Sequence, residues 1–181
     1  MNSLLATPSW FDDPAAVAAL RATAAALVGT PFAENSEVPG PLGGMDCVHL
    51  VHYVDRTLGL IPPLTLPAYR VDVGQHVGRS LLLEAFATMP ELVARFRRVW
   101  RRTDELEGAP LRELRAALRP GDHLFFRHGR LPHHAGLYLG AGEFLHTLRR
   151  DGAHLMRLDA VVRGWSILGQ LQAVYRPLPS C

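Results

Sequence analysis

The stretch Gly43-Gly44-Met45-Asp46-Cys47-Val48-His49-Leu50-Val51 decides how the chain is organised, because a glycine-led loop gives way here to a helix. The apolar positions after it recur at spacings of four, three and four residues, at Cys47, Val51, Val54 and Leu58. This spacing predicts one buried face of an α-helix about three turns long. Asp46 is a residue type that caps helix N-termini, so Cys47 is predicted to lie in the first turn.

A cysteine in this position has a distinctive electrostatic environment. The unpaired N–H groups and the positive end of the helix dipole lie close to its thiol. Such surroundings lower the pKa of a cysteine from about 8.5 into a range of roughly 3.5–7.5. We therefore expect Cys47 to be an activated thiol, and the alternative is a buried structural cysteine, a common fate of free cysteines.

Composition sets the class of protein. The chain has 181 residues, of which 48% are hydrophobic and 20% charged, which suits one globular domain with a real core. No apolar run approaches the roughly 18 residues of a membrane span, and Met1–Trp10 lacks the pattern of a secretory signal. We expect a protein that is cytoplasmic as synthesised, so that any extracellular role requires another exit route, such as cell lysis or a dedicated secretion machine.

The charged residues do not favour a nucleic-acid partner. The formal net charge is only +2, although all 19 basic residues are arginine. The densest basic run, residues 95–102, has interleaved aromatics that could meet phosphates and bases. Acidic residues flank this run closely, so we interpret it as a solvated edge or helix face. The second cysteine, Cys181, is terminal and predicted to be free.

Helix signals fill the first two thirds of the chain. Helices are predicted over residues 15–28, 47–58, about 76–87, 90–96 and 111–118. Strands follow, over residues 124–126, 135–139, 143–148, 154–158 and 170–175. Gly140–Gly142 and Asp151-Gly152 predict tight turns, the second one a two-residue hairpin loop. The order predicts an α+β domain, with helices on one side of a five- to six-stranded antiparallel sheet.

A nucleophilic cysteine requires a base and a group that orients the base. Strand alternation separates Ala135, Leu137 and Leu139, the predicted core face, from His134 and Gly136. The small Gly136 is expected to leave room for the cysteine helix on the face of His134. The turn after residue 139 should bring His146 beside His134 on the neighbouring strand.

Several segments together resemble the NlpC-type cysteine peptidases, which are papain-like bacterial cell-wall enzymes. The segments are Gly29-Thr30-Pro31-Phe32, Asp46-Cys47, Pro120-Gly121-Asp122-His123-Leu124-Phe125-Phe126, His134-Ala135-Gly136-Leu137-Tyr138-Leu139-Gly140 and Glu143-Phe144-Leu145-His146. With Val38-Pro39-Gly40 before the cysteine, the pattern looks closest to the prophage-associated branch. The resemblance implies a single papain-like catalytic domain over residues 1–181, with a divergent helical insertion at about 60–117.

The resemblance also implies roles. Cys47 would be the nucleophile, His134 the general base and acid, and His146 the residue that orients His134. Backbone N–H groups at the start of the cysteine helix would form the oxyanion hole, and Asp46 would recognise the free amine of the substrate. The implied reaction is amide hydrolysis in a peptidoglycan stem peptide through a thioester acyl-enzyme. No cofactor is implied.

The chain departs from the family pattern on the substrate side. The family has Ser-Gly after its Asp-Cys, where this chain has Val48-His49, and it has a tyrosine where this chain has Phe32. The family's Arg-Thr-Ser-like substrate segment has no clear match between residues 67 and 80. The resemblance implies a stem peptide with an N-terminal L-Ala-D-Glu, and these changes affect the residues that would recognise it more than those that would carry out the reaction. Another papain-like thiol hydrolase or acyltransferase is therefore an alternative, as is a phage tail or assembly component.

Histidine-rich stretches raise the question of a metal. His49, His52 and Arg56 are predicted to share the helix face opposite Cys47, where they would be solvated and poor co-ligands for it. A zinc site at His123, His128, His133 and His134 would need a recognisable tetrahedral ligand spacing, which is missing. No metal site is predicted.

Overall fold

A computed structural model describes residues 6–66, 80–102, 109–128 and 131–179. A short 3-10 helix at Trp10–Asp12 precedes the helices α1 (Pro14–Leu27), α2 (Cys47–Thr57), α3 (Leu81–Thr88), α4 (Pro90–Arg95), α5 (Ala109–Ala117) and α6 (Ile167–Gln170). The strands are β1 (Glu37–Val38), β2 (Gly44–Met45), β3 (Phe96–Arg101), β4 (His123–His128), β5 (Leu131–Gly140), β6 (Glu143–Leu148), β7 (Gly152–Arg157), β8 (Val161–Val162), β9 (Trp165–Ser166) and β10 (Leu171–Pro177). The beginning of the helix predicted at about 76–87, and Cys181, lie outside the described residues.

The predicted α+β architecture is confirmed. Six strands form one sheet in the order β3-β10-β4-β5-β6-β7, and every neighbouring pair is antiparallel. The expectation that all helices lie on one side of it is wrong. Helices α1 to α4 pack on the face of Ala135 and Leu137, whereas α5 and α6 pack on the face of Tyr138 and Phe144. No helix among the described residues is long and apolar enough to cross a membrane.

The basic run forms an edge strand that the helix-oriented prediction lacked. β3 pairs only with β10 within the described sheet, and its residues Arg97, Arg98 and Arg101 are exposed. Its buried positions Phe96 and Val99 face the two cores. Charged side chains on an edge strand discourage pairing with another chain, which agrees with the interpretation of this run as a solvated edge.

Gly136 has a different role from the predicted one. Helix α2 packs on the face of Ala135 and Leu137, so the cysteine helix does not approach on the side of Gly136. A Cβ atom at Gly136 would instead lie 2.7 Å from Cδ2 of Phe144. The glycine therefore allows the Phe144 ring to pack against β5 on the opposite face.

Two hairpins of the sheet, β5–β6 and β6–β7, differ in how well their turns could be predicted. Between β5 and β6, Gly140 pairs with Glu143, and Ala141 and Gly142 both have positive φ, as a two-residue type I′ turn requires. Between β6 and β7, Leu148 pairs with Gly152. The loop is therefore the three residues 149–151, the predicted two-residue loop is wrong, and the strand starts at Gly152 rather than at residue 154.

A buried ion pair joins four parts of the fold. Arg176 of β10 and Asp122, just before β4, are both fully buried, and Nε and Nη2 of Arg176 each donate to the carboxylate at 2.8 Å. The guanidinium also donates to the carbonyl oxygens of Thr7 and Ala117, and Asp122 accepts from the backbone N–H of Arg119. Every polar atom of the pair is thereby directed to a partner, which a buried charge requires.

Replacing Asp122 by alanine should strongly destabilise the fold, because it leaves the Arg176 charge buried without its carboxylate. The expected loss is about 3–5 kcal/mol of unfolding free energy, measured by urea denaturation. Arg157→Ala removes a solvent-exposed partner of Asp159 and serves as the control, with little expected change. Equal losses in the two variants would contradict the structural role of the buried pair.

Candidate active site

The start of α2 is held by the side chain of Asp46, as predicted. Its Oδ1 accepts from the backbone N–H groups of Val48 at 3.0 Å and His49 at 2.9 Å, and its Oδ2 accepts from the backbone N–H of Asn35 at 2.7 Å. The Nδ1 atom of His49 lies 2.9 Å from both carboxylate oxygens. The carboxylate is 1% exposed, so it joins the preceding loop to the helix from a buried position.

Cys47 is the first residue of α2, and its thiol is enclosed. The Sγ atom lies 3.9 Å from the carbonyl oxygen of His133, and the residue is 9% exposed. Burial, with a smaller contribution from the negative charge of Asp46, raises the pKa of the Cys47 thiol to about 12. The expected lowering of this pKa is therefore wrong. The capping carboxylate offsets the positive helix end, and the resting group at neutral pH is a thiol.

Three histidine rings form a continuous chain beside the cysteine. Nε2 of His134 lies 2.9 Å from Nδ1 of His146, and Nε2 of His146 lies 3.0 Å from Nε2 of His154. Nδ1 of His154 lies 3.0 Å from the carbonyl oxygen of Gly152. Burial, followed by the effects of His134 and His154, lowers the pKa of His146 to about 2, so its ring is neutral. The predicted contact between His134 and His146 is confirmed.

One cavity connects these groups. It has a volume of about 380 Å³, and its lining includes Asp46, Cys47 and His134. Phe32, at the position where the resemblance expects a tyrosine, also lines it. Most of the remaining wall is apolar and comes from α2, α3, α4 and residues 61–66, and strands of the sheet complete it. A mostly apolar cavity of this size with a few convergent polar groups is typical of small-ligand sites.

The two histidines of α2 are not solvated as predicted. His52 is buried, and its Nδ1 lies 2.8 Å from Oε1 of Glu37, whereas His49 contacts Asp46. Arg56 does remain on the surface, where it contacts Oε2 of Glu37. These pairings give the helix polar partners on the side where the sequence suggested only water.

The residues considered for zinc have separate surroundings. His123 is fully buried and its Nε2 lies 3.1 Å from Asp55, whereas His133 and His134 line the cavity. The side chain of His128 lies outside the described part of the chain. Among the described residues, no group of three or more His, Cys, Asp or Glu side chains is arranged to hold a metal ion.

Two contacts of the site were missed from the sequence. His154 pairs directly with His146, an arrangement that the two-residue loop had excluded by shifting the register of β7. A three-residue loop before Gly152 would have predicted this pairing. The backbone carbonyl of His133 contacts the thiol, and no sequence pattern indicates such a contact.

Comparison with known proteins gives one family. The sequence model described as the NlpC/P60 family matches residues 29–163. No curated protein sequence matches the chain.

Solved structures share the fold. A lipoprotein-like NLP/P60 family protein from Staphylococcus aureus has 18% identity and a TM-score of 0.55, covering 97% of this chain and 45% of its own. An NlpC/P60 family protein from Bacillus cereus has 18% identity and a TM-score of 0.51, covering 97% and 42%. RipD from Mycobacterium tuberculosis, described as a non-catalytic NlpC/p60 domain protein adapted to peptidoglycan binding, has 15% identity and a TM-score of 0.47, covering 89% and 95%. The chain thus has the papain-like α+β fold and spans less than half the length of the first two proteins.

The raised pKa of Cys47 predicts a late onset of alkylation as pH increases. In a Cys181→Ser background, the rate of iodoacetamide labelling should still be rising well above the pKa of about 8.5 of an ordinary thiol. Asp46→Asn retains an oxygen that can cap the helix but removes the charge, so it should move the midpoint to lower pH. The midpoint is independent of how accessible the sulfur is, and a wild-type midpoint below that of glutathione would contradict the raised pKa.

Proposed function

Because the chain belongs to the NlpC/P60 family, we propose that it is a cysteine peptidase that hydrolyses an amide bond in peptidoglycan stem peptides. Members of this family are generally cysteine peptidases that act on peptidoglycan. The observation that carries the proposal is the lining of one cavity by Cys47 and His134, with His134 held by His146. Delivery by a phage or prophage is part of the proposal and rests on the sequence pattern around Val38-Pro39-Gly40.

The proposed reaction starts from a neutral thiol. His134 removes the Sγ proton as the sulfur attacks the substrate carbonyl carbon, and a tetrahedral oxyanion forms. The protonated His134 then gives this proton to the leaving amine, the C–N bond breaks, and a thioester remains on Cys47. Water attacks the thioester while His134 takes one of its protons. The carboxylic acid leaves, and the returned proton regenerates the thiol.

The contacts of His134 and α2 assign the atoms in this reaction. Nε2 of His134 is held by His146, so Nδ1 is the atom that takes the thiol proton. The N–H groups of Val48 and His49 already donate to Asp46. In this helix, the backbone N–H of Cys47 would therefore stabilise the oxyanion, rather than the whole first turn.

Asp46 remains the proposed partner of the free amine of the substrate, because it lines the same cavity as Cys47. Its carboxylate already accepts from three backbone N–H groups and contacts His49. An ammonium group would therefore compete with the His49 ring for this carboxylate. This competition supports a substrate preference different from the one that the family pattern implies.

Removing the nucleophile should abolish activity without unfolding the protein. Cys47→Ala should release no peptides from purified sacculi, as measured by mass spectrometry of the soluble products, while its circular dichroism stays native. His134→Ala should lose about 10²–10⁴ in rate, the range of a general base, and His146→Ala should lose less. Product release by Cys47→Ala would refute the mechanism, no release by either wild type or variant would leave a non-catalytic, scaffold-like role, and a larger loss at His146 would reverse the two histidine roles.

The apolar wall favours a second candidate, a thiol hydrolase or acyltransferase that acts on an aliphatic acyl group. Leu82, Phe86, Met89 and Leu92 line the cavity that also contains Cys47. An alkyl chain would gain about 25 cal/mol for each Å² of apolar surface that it buries there. The thioester chemistry would be the same, with an acyl chain in place of a peptide.

Acyl-chain length distinguishes the two candidates. For the second candidate, the hydrolysis of p-nitrophenyl esters should rise from acetate to octanoate, because only the longer chain reaches the apolar wall. Leu82→Trp should reduce octanoate cleavage and spare acetate cleavage, since it fills the cavity away from the thiol. Equal rates for all esters, together with release of stem peptides from sacculi, would exclude the acyl-chain candidate.

A further inference from the structure

The far end of the histidine chain is attached to the backbone. Nδ1 of His154 lies 3.0 Å from the carbonyl oxygen of Gly152, two residues earlier on β7. A carbonyl oxygen accepts hydrogen bonds and cannot donate them, so Nδ1 of His154 must carry a proton. In the neutral imidazole the other nitrogen, Nε2, is then a bare acceptor.

This anchor sets the direction of the remaining hydrogen bonds. Nε2 of His146 lies 3.0 Å from the bare Nε2 of His154, so His146 must donate from Nε2. The neutral His146 ring then has a bare Nδ1, which lies 2.9 Å from Nε2 of His134. His134 therefore donates from Nε2 and has its lone pair on Nδ1.

We infer that His154 is a positioning residue that fixes the tautomers of His146 and His134, so that the lone pair of His134 stands on Nδ1. The inference rests on the proposed function, in which Nδ1 of His134 takes the thiol proton. The opposite direction would place a proton on Nδ1 of His134 and block this transfer. It would also turn the lone pair of His154 Nδ1 toward the oxygen of Gly152.

Because His146 is buried, its tautomer is set by the neighbouring histidines, and His154 can thereby determine the tautomer of His134. His146 is 3% exposed, and the Phe144 ring packs against it with the ring centroids 4.8 Å apart. Its two nitrogens are therefore satisfied by the neighbouring histidines rather than by bulk water. A neutral ring can donate from only one nitrogen, so a change at His154 must be passed to His134.

Nitrogen NMR of protein labelled with ¹⁵N-histidine tests the inference on the resting enzyme. The expected spectrum shows His154 protonated on Nδ1, and His146 and His134 protonated on Nε2. His154→Phe keeps a ring of similar shape but offers no acceptor, so both remaining histidines should show mixed tautomers. His154→Gln is the matched control, because its amide oxygen can accept from Nε2 of His146 and restore the wild-type pattern.

Kinetics provide the second readout. His154→Phe should lower kcat on a soluble stem-peptide fragment about 10–100-fold, the range for removing a group that orients a histidine, and should leave KM unchanged. His154→Gln should recover most of kcat. If His154 had only a structural role, both variants would lose thermal stability. His154→Gln would then restore neither the wild-type tautomers nor kcat.

The result that overturns the inference is His146 protonated on Nδ1 in the wild type, or unchanged tautomers of His134 and His146 in His154→Phe. If His154→Phe does not fold, the wild-type spectrum and His154→Gln still decide the question. The tautomers are read without substrate. An inactive protein with the expected tautomers would refute the proposed function and support the inferred tautomers of the three histidines.

Discussion

The site depends on the buried carboxylate of Asp46, which caps α2 and fixes where Cys47 stands. The same contacts determine the chemistry of the first helical turn. Two N–H groups that could have stabilised an anion are occupied by the carboxylate, and its charge opposes a thiolate. A cap that positions Cys47 thus removes part of the activation that a helix N-terminus usually provides to a thiol. In the proposed reaction, the thiolate would therefore form only by proton transfer to a base.

Burial explains why the resting site holds so little charge. The loss of hydration that raises the pKa of Cys47 also lowers the pKa of His146, because burial disfavours the charged form of either group. A neutral thiol at Cys47 and a neutral His146 ring need few compensating charges in the cavity. The thiolate and imidazolium would then arise together, at the moment when the substrate carbonyl is in place. For this transfer the orientation of His134 is decisive, and orientation is what the chain through His146 to a backbone carbonyl supplies.

Local signals predicted the parts of the structure that local interactions determine. The cap and apolar stripe of α2 were readable because a helix start involves neighbouring residues, and the turn at Ala141-Gly142 because its backbone requires positive φ. The turn before β7 was ambiguous, since Gly152 fits either a loop position or the first strand position. The uncertain position of this glycine changed the register by three residues and hid the pairing of His154 with His146. The face of the sheet covered by α2 and the pKa of Cys47 depend on tertiary burial, which the sequence pattern does not contain.

The departures from the family pattern have a common physical consequence at the cavity. His49 stands where the family has a glycine, and its imidazole contacts the carboxylate of Asp46. Phe32 brings a phenyl ring where a hydroxyl would stand, and the walls contributed by α3 and α4 are apolar. The polar groups that would bind a charged end of a substrate are therefore either hydrogen-bonded within the protein or replaced by apolar groups. An amine must compete with His49 for Asp46, whereas an apolar group meets no such competitor. Under the proposed function, the cavity would therefore select its ligand more through shape and apolar contact than through charge.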